Sequence, residues 1–350
     1  MGLDGRRVRS LIGRGPAGRT TNLTLFLALL LAFATGVGAV ATGSPRGQWI
    51  VVAHGLAAMM VILLIPWKGR VIRHGLRRAR GSRWASLLLA ALAVSTLVAG
   101  VGYTTGIVRS VGGVWGMWLH IAAALTLAPL VIWHVLARPA RPRSGDLSRR
   151  NFLRLGLLGA ASAGLYIGAA SVVGLAGLPG ARRRFTGSYE TGSFNPRAMP
   201  STIWLDDSVP TVHPDRWRLV VVDGAGRREL TLAELATFDV PLRATLDCTS
   251  GWYARQDWAG VPVSSLLRGV GDARSLLVHS VTGYWVRFPV GELDRLLLAT
   301  RVGGTALSAG HGFPLRLVAP DRRGFWWVKW VDRIELQATP PWWQPPLPVT

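Results

Sequence analysis

The chain has 350 residues, 49% of them hydrophobic, and a mean hydropathy of +0.30. It is too apolar for one soluble domain and too charged to lie in a membrane throughout, so two unlike halves are expected. The net charge of +22 would ordinarily suggest nucleic-acid binding, but the arginines stand in short blocks between apolar runs of membrane length, which argues against that partner.

Four apolar stretches in the first half predict membrane spans, and each approaches the ~20 residues that cross a hydrocarbon core. They are residues 22–41, 48–67, 84–104 and 113–136. Basic residues cluster before the first span, between the second and third, and after the fourth, whereas the opposite loops offer only Arg46 and Arg109. The positive-inside rule therefore places residues 1–21 in the cytoplasm.

A fifth apolar run, residues 155–178, follows Ser148-Arg-Arg-Asn-Phe-Leu-Arg154. The arginine pair, the Phe-Leu after it and the Gly/Ala-rich run resemble a twin-arginine signal, and ordinary positive-inside charge is the alternative. Residues 141–180 would then form a signal-anchor span after a four-span bundle of residues 22–140. Five spans in the plasma membrane of a bacterium would place residues 181–350 outside the cytoplasm. The twin-arginine export machinery is then a candidate partner.

Histidines inside membrane spans are costly and generally functional. His54 and His120 lie about six and about seven residues after their spans enter from outside, roughly 10 Å deep. The two spans run in the same direction, so both imidazoles can ligate one iron, and a b-type haem fits between them. The alternative is that each histidine bonds a carbonyl or hydroxyl across the bundle. Zinc is disfavoured because no Cys, Asp or Glu accompanies them in the spans.

A second haem is predicted less directly. His134 lies fourteen residues beyond His120, or ~21 Å along the helix and only about 40° from the same face. Its partner would have to be His74, in the basic stretch after Pro66. The span count and the histidine positions resemble the haem-binding cytochrome b membrane subunits of bacterial reductases.

The second half changes to short apolar runs separated by Gly, Pro and Asp, which predict strands at residues 218–222, 275–279 and 314–318. Short helices are predicted near residues 263–268 and 291–299. An α+β domain over residues 181–350 follows, with residues 181–203 as a linker and an extended lead-in.

The single cysteine, Cys248, stands in Thr245-Leu-Asp-Cys-Thr-Ser-Gly-Trp252, ahead of Asp257-Trp-Ala-Gly-Val-Pro-Val263 and Leu266-Leu267. Alone, such a cysteine is typical of a buried apolar thiol. Together, these segments resemble the sulfite-oxidase-type molybdopterin family, in which a cysteine before a Gly-containing loop ligates molybdenum. A soft thiolate suits that metal, and a lone cysteine cannot form an intrachain disulfide.

Later motifs follow the same family order, among them Thr282-Gly-Tyr284, Gly310-His-Gly-Phe-Pro-Leu-Arg316 and Trp327-Val-Lys-Trp330. The resemblance implies that three basic residues hold the phosphate end of the pterin: His311, Arg316 and Lys329. Each could instead be an ordinary surface cation.

Four more residues are candidates near the metal. Thr249 and Ser250 follow the cysteine and would contact the cofactor, whereas Arg255 and Tyr284 would face the open side of the metal, where a substrate needs a donor. The family's Asn-His lead-in is absent, with Phe194-Asn-Pro196 as a faint substitute, so sulfite specificity does not follow.

The short domain also resembles an exported bacterial molybdoenzyme that reduces methionine sulfoxide with a separate haem-containing membrane subunit. The leading hypothesis is a reductase that takes electrons from quinol through haem to molybdenum and reduces an S- or N-oxide. Oxidation of sulfite or another small oxyanion is the reverse alternative, and a membrane receptor without enzymatic activity is the third.

Overall fold

The computed structural model describes residues 18–76, 83–137, 143, 146, 148–203 and 208–345. The chain forms two compact units. The first takes residues up to Ala39 and Gly47–Arg182, and the second takes Val40–Arg46 and the residues from Arg183 onward. Residues 1–17 and most of the predicted basic loops, at 77–82 and 138–142, lie outside the described residues.

Within its described residues, the first unit contains five α-helices, all long and apolar enough to cross a membrane. They are α1 (Gly18–Ala41), α2 (Gln48–Leu76), α3 (Arg83–Thr105), α4 (Gly116–Ala137) and α5 (Arg149–Leu175). All five predicted spans are confirmed as helices. A short hairpin, β1 (Ser110–Val111) and β2 (Val114–Trp115), precedes α4, so this helix begins three residues later than predicted.

Small residues allow these helices to approach one another closely. The Tyr166 ring of α5 occupies the space beside Gly55 of α2, where any side chain would collide with it. Tyr103 of α3 is 3% exposed and packs against Gly116 at the start of α4. Such contacts suit a membrane, where close packing rather than the hydrophobic effect holds helices together.

The described part of the second unit, residues 40–46, 183–203 and 208–345, contains two sheets. Six strands form the first sheet, in which β7 (Trp252–Pro262) is flanked by β6 (Val240–Asp247), β3 (Tyr189–Glu190) and β10 (Leu297–Val302), with β11 (Thr305–Ala306) and β12 (Arg316–Val318) on β10. The second sheet has the order β5 (Gly226–Thr231), β4 (Arg218–Asp223), β13 (Val331–Gln337), β8 (Ser275–Ser280), β9 (Trp285–Pro289).

Alternating burial explains the long strand β7. Trp252, Ala254, Gln256 and Trp258 are each at most 2% exposed, whereas the residues between them face outward or are only partly covered. This period of two is the mark of a strand with one face on the core.

Two short helices connect the strands: α6 (Leu232–Ala236) and α7 (Val263–Leu266). The second confirms the helix predicted near residue 263. The helix predicted over residues 291–299 is wrong for its second half, because the structure has a 3-10 turn at Val290–Arg295 and then β10. Leu297, Leu298 and Ala299 lie between two neighbouring strands, and this pairing buries the whole apolar run.

Candidate functional site

Cys248 lies in the tight turn between β6 and β7, directly after Asp247. Its backbone amide donates to the Trp252 carbonyl at 2.9 Å, and Gly251 closes the turn with a φ of 103°, which only glycine adopts readily. The thiol is buried, with Ser250 Oγ 3.1 Å from Sγ. The turn therefore presents one thiol at a fixed position.

Asp247 is 2% exposed and its carboxylate accepts hydrogen bonds from four side chains. Ser188 Oγ and Arg323 Nη1 reach Oδ1 at 2.6 and 2.7 Å. Thr186 Oγ1 and Arg184 Nε reach Oδ2 at 2.8 and 3.0 Å. A buried carboxylate needs such partners, because its desolvation is otherwise very costly.

The segment before β4 takes part in the fold of the second unit. Residues from Arg183 onward belong to the second unit, and β3 pairs in parallel with β7 through Tyr189 and Trp252. Within residues 181–203, predicted as a linker followed by an extended lead-in, the structure thus has a strand that pairs into the first sheet.

His311 is 9% exposed and both ring nitrogens have partners: Ser308 Oγ lies 2.8 Å from Nδ1, and the Met199 carbonyl lies 3.0 Å from Nε2. Burial, and next the charge of Arg316, lower the pKa of His311 below its ordinary 6.5. His311 is therefore neutral at neutral pH and acts as a hydrogen-bonding group there.

Arg316, on β12, is a buried cation. Its guanidinium carbon lies 5.5 Å from the ring centre of Trp258 and 5.9 Å from that of Trp327, and Nη1 donates to the His311 carbonyl. Within the described part of the chain, Nε has no hydrogen-bond partner. Burial lowers the pKa of Arg316 to about 10, while the charge of Cys248 acts in the opposite direction. The guanidinium thus stays charged at neutral pH.

Lys329 joins the 3-10 turn at residues 309–311 to the lead-in. Its Nζ donates to the Gly310 carbonyl at 2.6 Å and the Thr202 carbonyl at 2.8 Å. Thr202 Oγ1 accepts a hydrogen bond from Trp252 Nε1 at 3.1 Å, and Trp252 follows the turn that contains Cys248. His311, Arg316, Lys329 and the cysteine turn are therefore linked through short contacts.

The other candidates are placed differently. Ser250 contacts the thiol, and Thr249 beside it is half-buried. The Tyr284 hydroxyl donates to the Phe325 carbonyl at 2.6 Å, and burial raises the pKa of Tyr284 well above its ordinary value. Arg255 is exposed on β7, and its amide donates to Ser193 Oγ. These contacts leave Tyr284 and Arg255 as hypotheses for substrate binding.

In the first unit, the rings of His54 and His120 lie side by side, with centres 6.0 Å apart and planes at 83°. Nδ1 of His54 is 2.9 Å from the Ala32 carbonyl of α1, and Nδ1 of His120 is 2.9 Å from the Thr96 carbonyl of α3. Each ring also faces a glycine on the helix that supplies its carbonyl partner, four residues after the residue with that carbonyl. A side-chain carbon at Gly36 would lie 3.3 Å from the His54 ring, and one at Gly100 would lie 3.0 Å from the His120 ring.

His134 lies in the last turn of α4 and is half-buried. His74 lies in the last turn of α2, at a position whose side chain is outside the described part. Pairing of these two residues stays a prediction.

Residues 206–343 match the family model described as the oxidoreductase molybdopterin binding domain. The second unit contains a molybdopterin-binding oxidoreductase domain. Human mitochondrial sulfite oxidase is 26% identical over 166 residues, which cover 37% of this chain and 30% of that protein. A putative protein-methionine-sulfoxide reductase subunit, YedZ1 of Azospira oryzae, is 28% identical over 136 residues, which cover 37% of this chain and 52% of that protein.

The structure of the sulfane dehydrogenase SoxCD from Paracoccus pantotrophus shares 25% identity at a TM-score of 0.35, covering 37% of this chain and 40% of that one. The chain spans about half or less of the length of the curated relatives it matches. The predicted membership of the second half in a molybdopterin oxidoreductase family is confirmed.

Sequence reasoning missed the buried network behind the cysteine of the molybdopterin-binding domain. Asp247 and Arg323 are both 2% exposed and bond each other, yet 75 residues separate Arg323 from Cys248. The available signal was an ionisable residue directly before the cysteine, at the end of an apolar strand. Its partner could not be deduced, because 40 Lys and Arg residues were candidates.

Proposed function

We propose that the chain is a membrane-anchored molybdopterin-dependent oxidoreductase that exchanges electrons between the quinone pool, a b-type haem at His54 and His120, and molybdenum at Cys248. Its preferred reaction is the reduction of a small S- or N-oxide. Sulfite or small-oxyanion oxidation is the second candidate.

The buried charge of Arg316 is the observation that carries the proposal. A guanidinium that is 2% exposed requires an anionic acceptor, and within the described part of the chain the buried Nε–H of Arg316 has none. An anionic pterin cofactor beside the thiolate fits this requirement. Molybdenum held in a pterin supplies two-electron oxygen-transfer chemistry.

The chain's own residues would bind and orient this cofactor. Cys248 offers a soft thiolate from a rigid turn, and Arg316 offers a planar fork suited to a phosphate or another oxyanion. His311, neutral at neutral pH, and Lys329 supply further hydrogen bonds, and Thr249 and Ser250 border the thiol. The two tryptophan rings around Arg316 exclude water from its faces.

Tyr284 and Arg255 remain the candidates for substrate contact. The Tyr284 hydroxyl is protonated at neutral pH and already donates its one proton to the Phe325 carbonyl, so here it could accept a hydrogen bond from a substrate but not act as a base. Arg255 is exposed and would attract polar oxides or oxyanions to the domain.

The histidine pair supports haem on geometric grounds. With ring centres 6.0 Å apart, His54 and His120 would hold the haem iron between their two imidazoles. With Nδ1 of each ring at a carbonyl, Nε2 of each ring remains as the ligand atom. Haem at this position would carry single electrons. A second haem at His134 and His74 is part of the proposal.

Two relatives favour opposite directions of electron flow. The YedZ1 relative is named as a subunit of a methionine-sulfoxide reductase, which favours reduction, and the fused helical unit matches that role. The sulfite oxidase relatives favour oxidation. The reductase is preferred because the relative named as a reductase subunit is matched over 52% of its length, against 30% for human sulfite oxidase.

The proposed topology has a cytoplasmic N-terminus and the molybdopterin-binding domain outside the cytoplasm of a bacterium. Arg149 and Arg150 begin α5, as expected of a twin-arginine signal that is also a span. Replacing both by lysine keeps the charge but should impair export if the twin-arginine machinery recognises the pair. Residues beyond 181 would then be protected from a protease added outside the cell. Normal export of this variant would leave only the charge explanation.

The decisive experiment uses detergent-purified full-length protein from a host supplied with molybdenum. We expect molybdenum and pterin at about one per chain, reduced-minus-oxidised bands of b-type haem, and loss of turnover in Cys248→Ser. Reoxidation of dithionite-reduced haem by S- or N-oxides supports the reductase, whereas haem reduction by sulfite supports the oxidase. Wild-type protein without molybdenum would refute the enzymatic proposal.

A further inference from the structure

Arg323 uses both arms of its guanidinium on two consecutive residues of the cysteine turn. Nη1 donates to Asp247 Oδ1 at 2.7 Å, and Nη2 donates to the backbone carbonyl of Cys248 at 3.0 Å. The side chain is 2% exposed. A lysine would preserve the charge but not the planar fork, since its ammonium is a single point.

The residue after Arg323 also lies against the cysteine. A side-chain carbon at Gly324 would lie 3.1 Å from Cys248 Cα and 3.4 Å from the Asp247 carbonyl oxygen. The Arg323–Gly324 backbone is therefore in contact with the turn, and the Arg323 side chain curls back onto the same turn. Both contacts restrict where the Cys248 peptide can lie.

A loop from far earlier in the chain supports this segment within the second unit. Thr42 forms a β-bridge with Arg322. Gly43 lies so close that a side-chain carbon there would be 2.7 Å from the Arg322 carbonyl carbon and 2.8 Å from the Arg323 nitrogen. Any side chain at Gly43 must displace the backbone of Arg323.

We infer that Arg323 is a positioning residue for Cys248: it fixes the peptide and the preceding carboxylate, and thereby the direction in which the thiolate is presented, with Thr42 and Gly43 supporting it from behind. This inference rests on the proposed role of Cys248 as the molybdenum ligand. Arg323 does not touch the sulfur in any described contact and acts through the Cys248 peptide and Asp247.

The test compares Arg323→Lys and Gly43→Ala with two matched controls in full-length protein. Arg228 forms the same kind of fork elsewhere in the second unit, donating to Asp223 and to the Leu266 carbonyl, so Arg228→Lys is the arginine control. Gly291 has open space where a side chain would start, so Gly291→Ala is the glycine control.

Two readouts are used. The first is the Mo(V) electron paramagnetic resonance spectrum of the loaded protein, which reports the geometry around the thiolate. The second is the rate at which iodoacetamide alkylates Cys248 in full-length protein produced without pterin. We expect Arg323→Lys and Gly43→Ala to change the spectrum and to raise the alkylation rate about tenfold through local opening of the turn. Both controls should match the wild type.

A wild-type spectrum and alkylation rate in Arg323→Lys would overturn the inference, and so would an equal change in Arg228→Lys, which would indicate general loosening. Should Arg323→Lys fail to fold, Gly43→Ala against Gly291→Ala gives the same decision. Wild-type protein that lacks molybdenum would refute the proposed function instead, and the alkylation rates would still decide whether Arg323 holds the turn.

Discussion

Replacing Asp247 by asparagine should strongly destabilise the molybdopterin-binding domain. Each carboxylate oxygen accepts two hydrogen bonds, Oδ1 from Ser188 and Arg323 and Oδ2 from Thr186 and Arg184. In either orientation, the amide nitrogen of an asparagine would face one arginine N–H, with which it cannot bond, and one hydroxyl, which can rotate to accept. The substitution therefore removes a charge and also turns one hydrogen bond into a donor–donor contact.

The size of the effect follows from burial. Asp247 and Arg323 are both 2% exposed, so the variant leaves a buried cation without its carboxylate. Removing one partner of a buried ion pair costs about 3–5 kcal/mol. The second ion pair adds little, because Arg184 is 26% exposed and solvent screens it. A loss of about 3–5 kcal/mol is a large part of the roughly 5–15 kcal/mol that stabilises a domain.

The measurement is thermal unfolding of full-length protein in detergent, followed by tryptophan fluorescence. For a domain of this size, about 2–4 °C per kcal/mol gives a decrease in Tm of about 6–20 °C. Asp257→Asn is the matched control, because Asp257 pairs with Arg243 on the exposed side of the same hairpin and should change Tm little. A Tm for Asp247→Asn within about 2 °C of the control would refute the reasoning.

Three further outcomes are expected. Gly100→Val, which places a side chain against the His120 ring, should lower haem content about tenfold or more, as measured by the reduced-minus-oxidised absorbance. Tyr284→Phe removes a buried hydrogen bond to a carbonyl and should reduce the free energy of unfolding by about 0.5–1.5 kcal/mol. Burial, and next a neighbouring arginine, lower the pKa of His311, so as pH falls below about 6.5 the unfolded chain takes up the proton first and stability declines until the lowered folded pKa is passed. In His311→Gln this part of the decline should be missing from Tm measured at a series of pH values.

The haem and pH predictions each have a matched control. Gly69→Val introduces the same side chain into a helix position with open space and should retain haem. His279→Gln removes another histidine whose pKa is lowered, first by burial, and should leave the contribution of His311 in place. Wild-type haem content in Gly100→Val, or identical pH dependence of wild type and His311→Gln, would show the corresponding argument to be wrong.

Periodicity and apolar length predicted most of the elements. The five helices, the strands at residues 218–223 and 275–280 and the helix at residue 263 follow from local patterns, because one face or the whole of each segment must be buried. The same reasoning failed at residues 297–302. Leu297 to Ala299 form a short continuous apolar run, which suits a buried strand as well as a helix, and only the neighbours β7 and β12 decide between them.

By itself, the sequence determined the chemistry available to this protein: one thiol in the chain, histidines in two apolar helices, and a run of motifs around the cysteine. Only the tertiary structure decided which groups act together. It joined Ser188, Asp247 and Arg323 behind Cys248 and set the His54 and His120 rings 6.0 Å apart. The physical reason is that burial forces a charged group to find its partner in space, wherever in the chain that partner lies, whereas a periodic pattern reports only on neighbours along the chain.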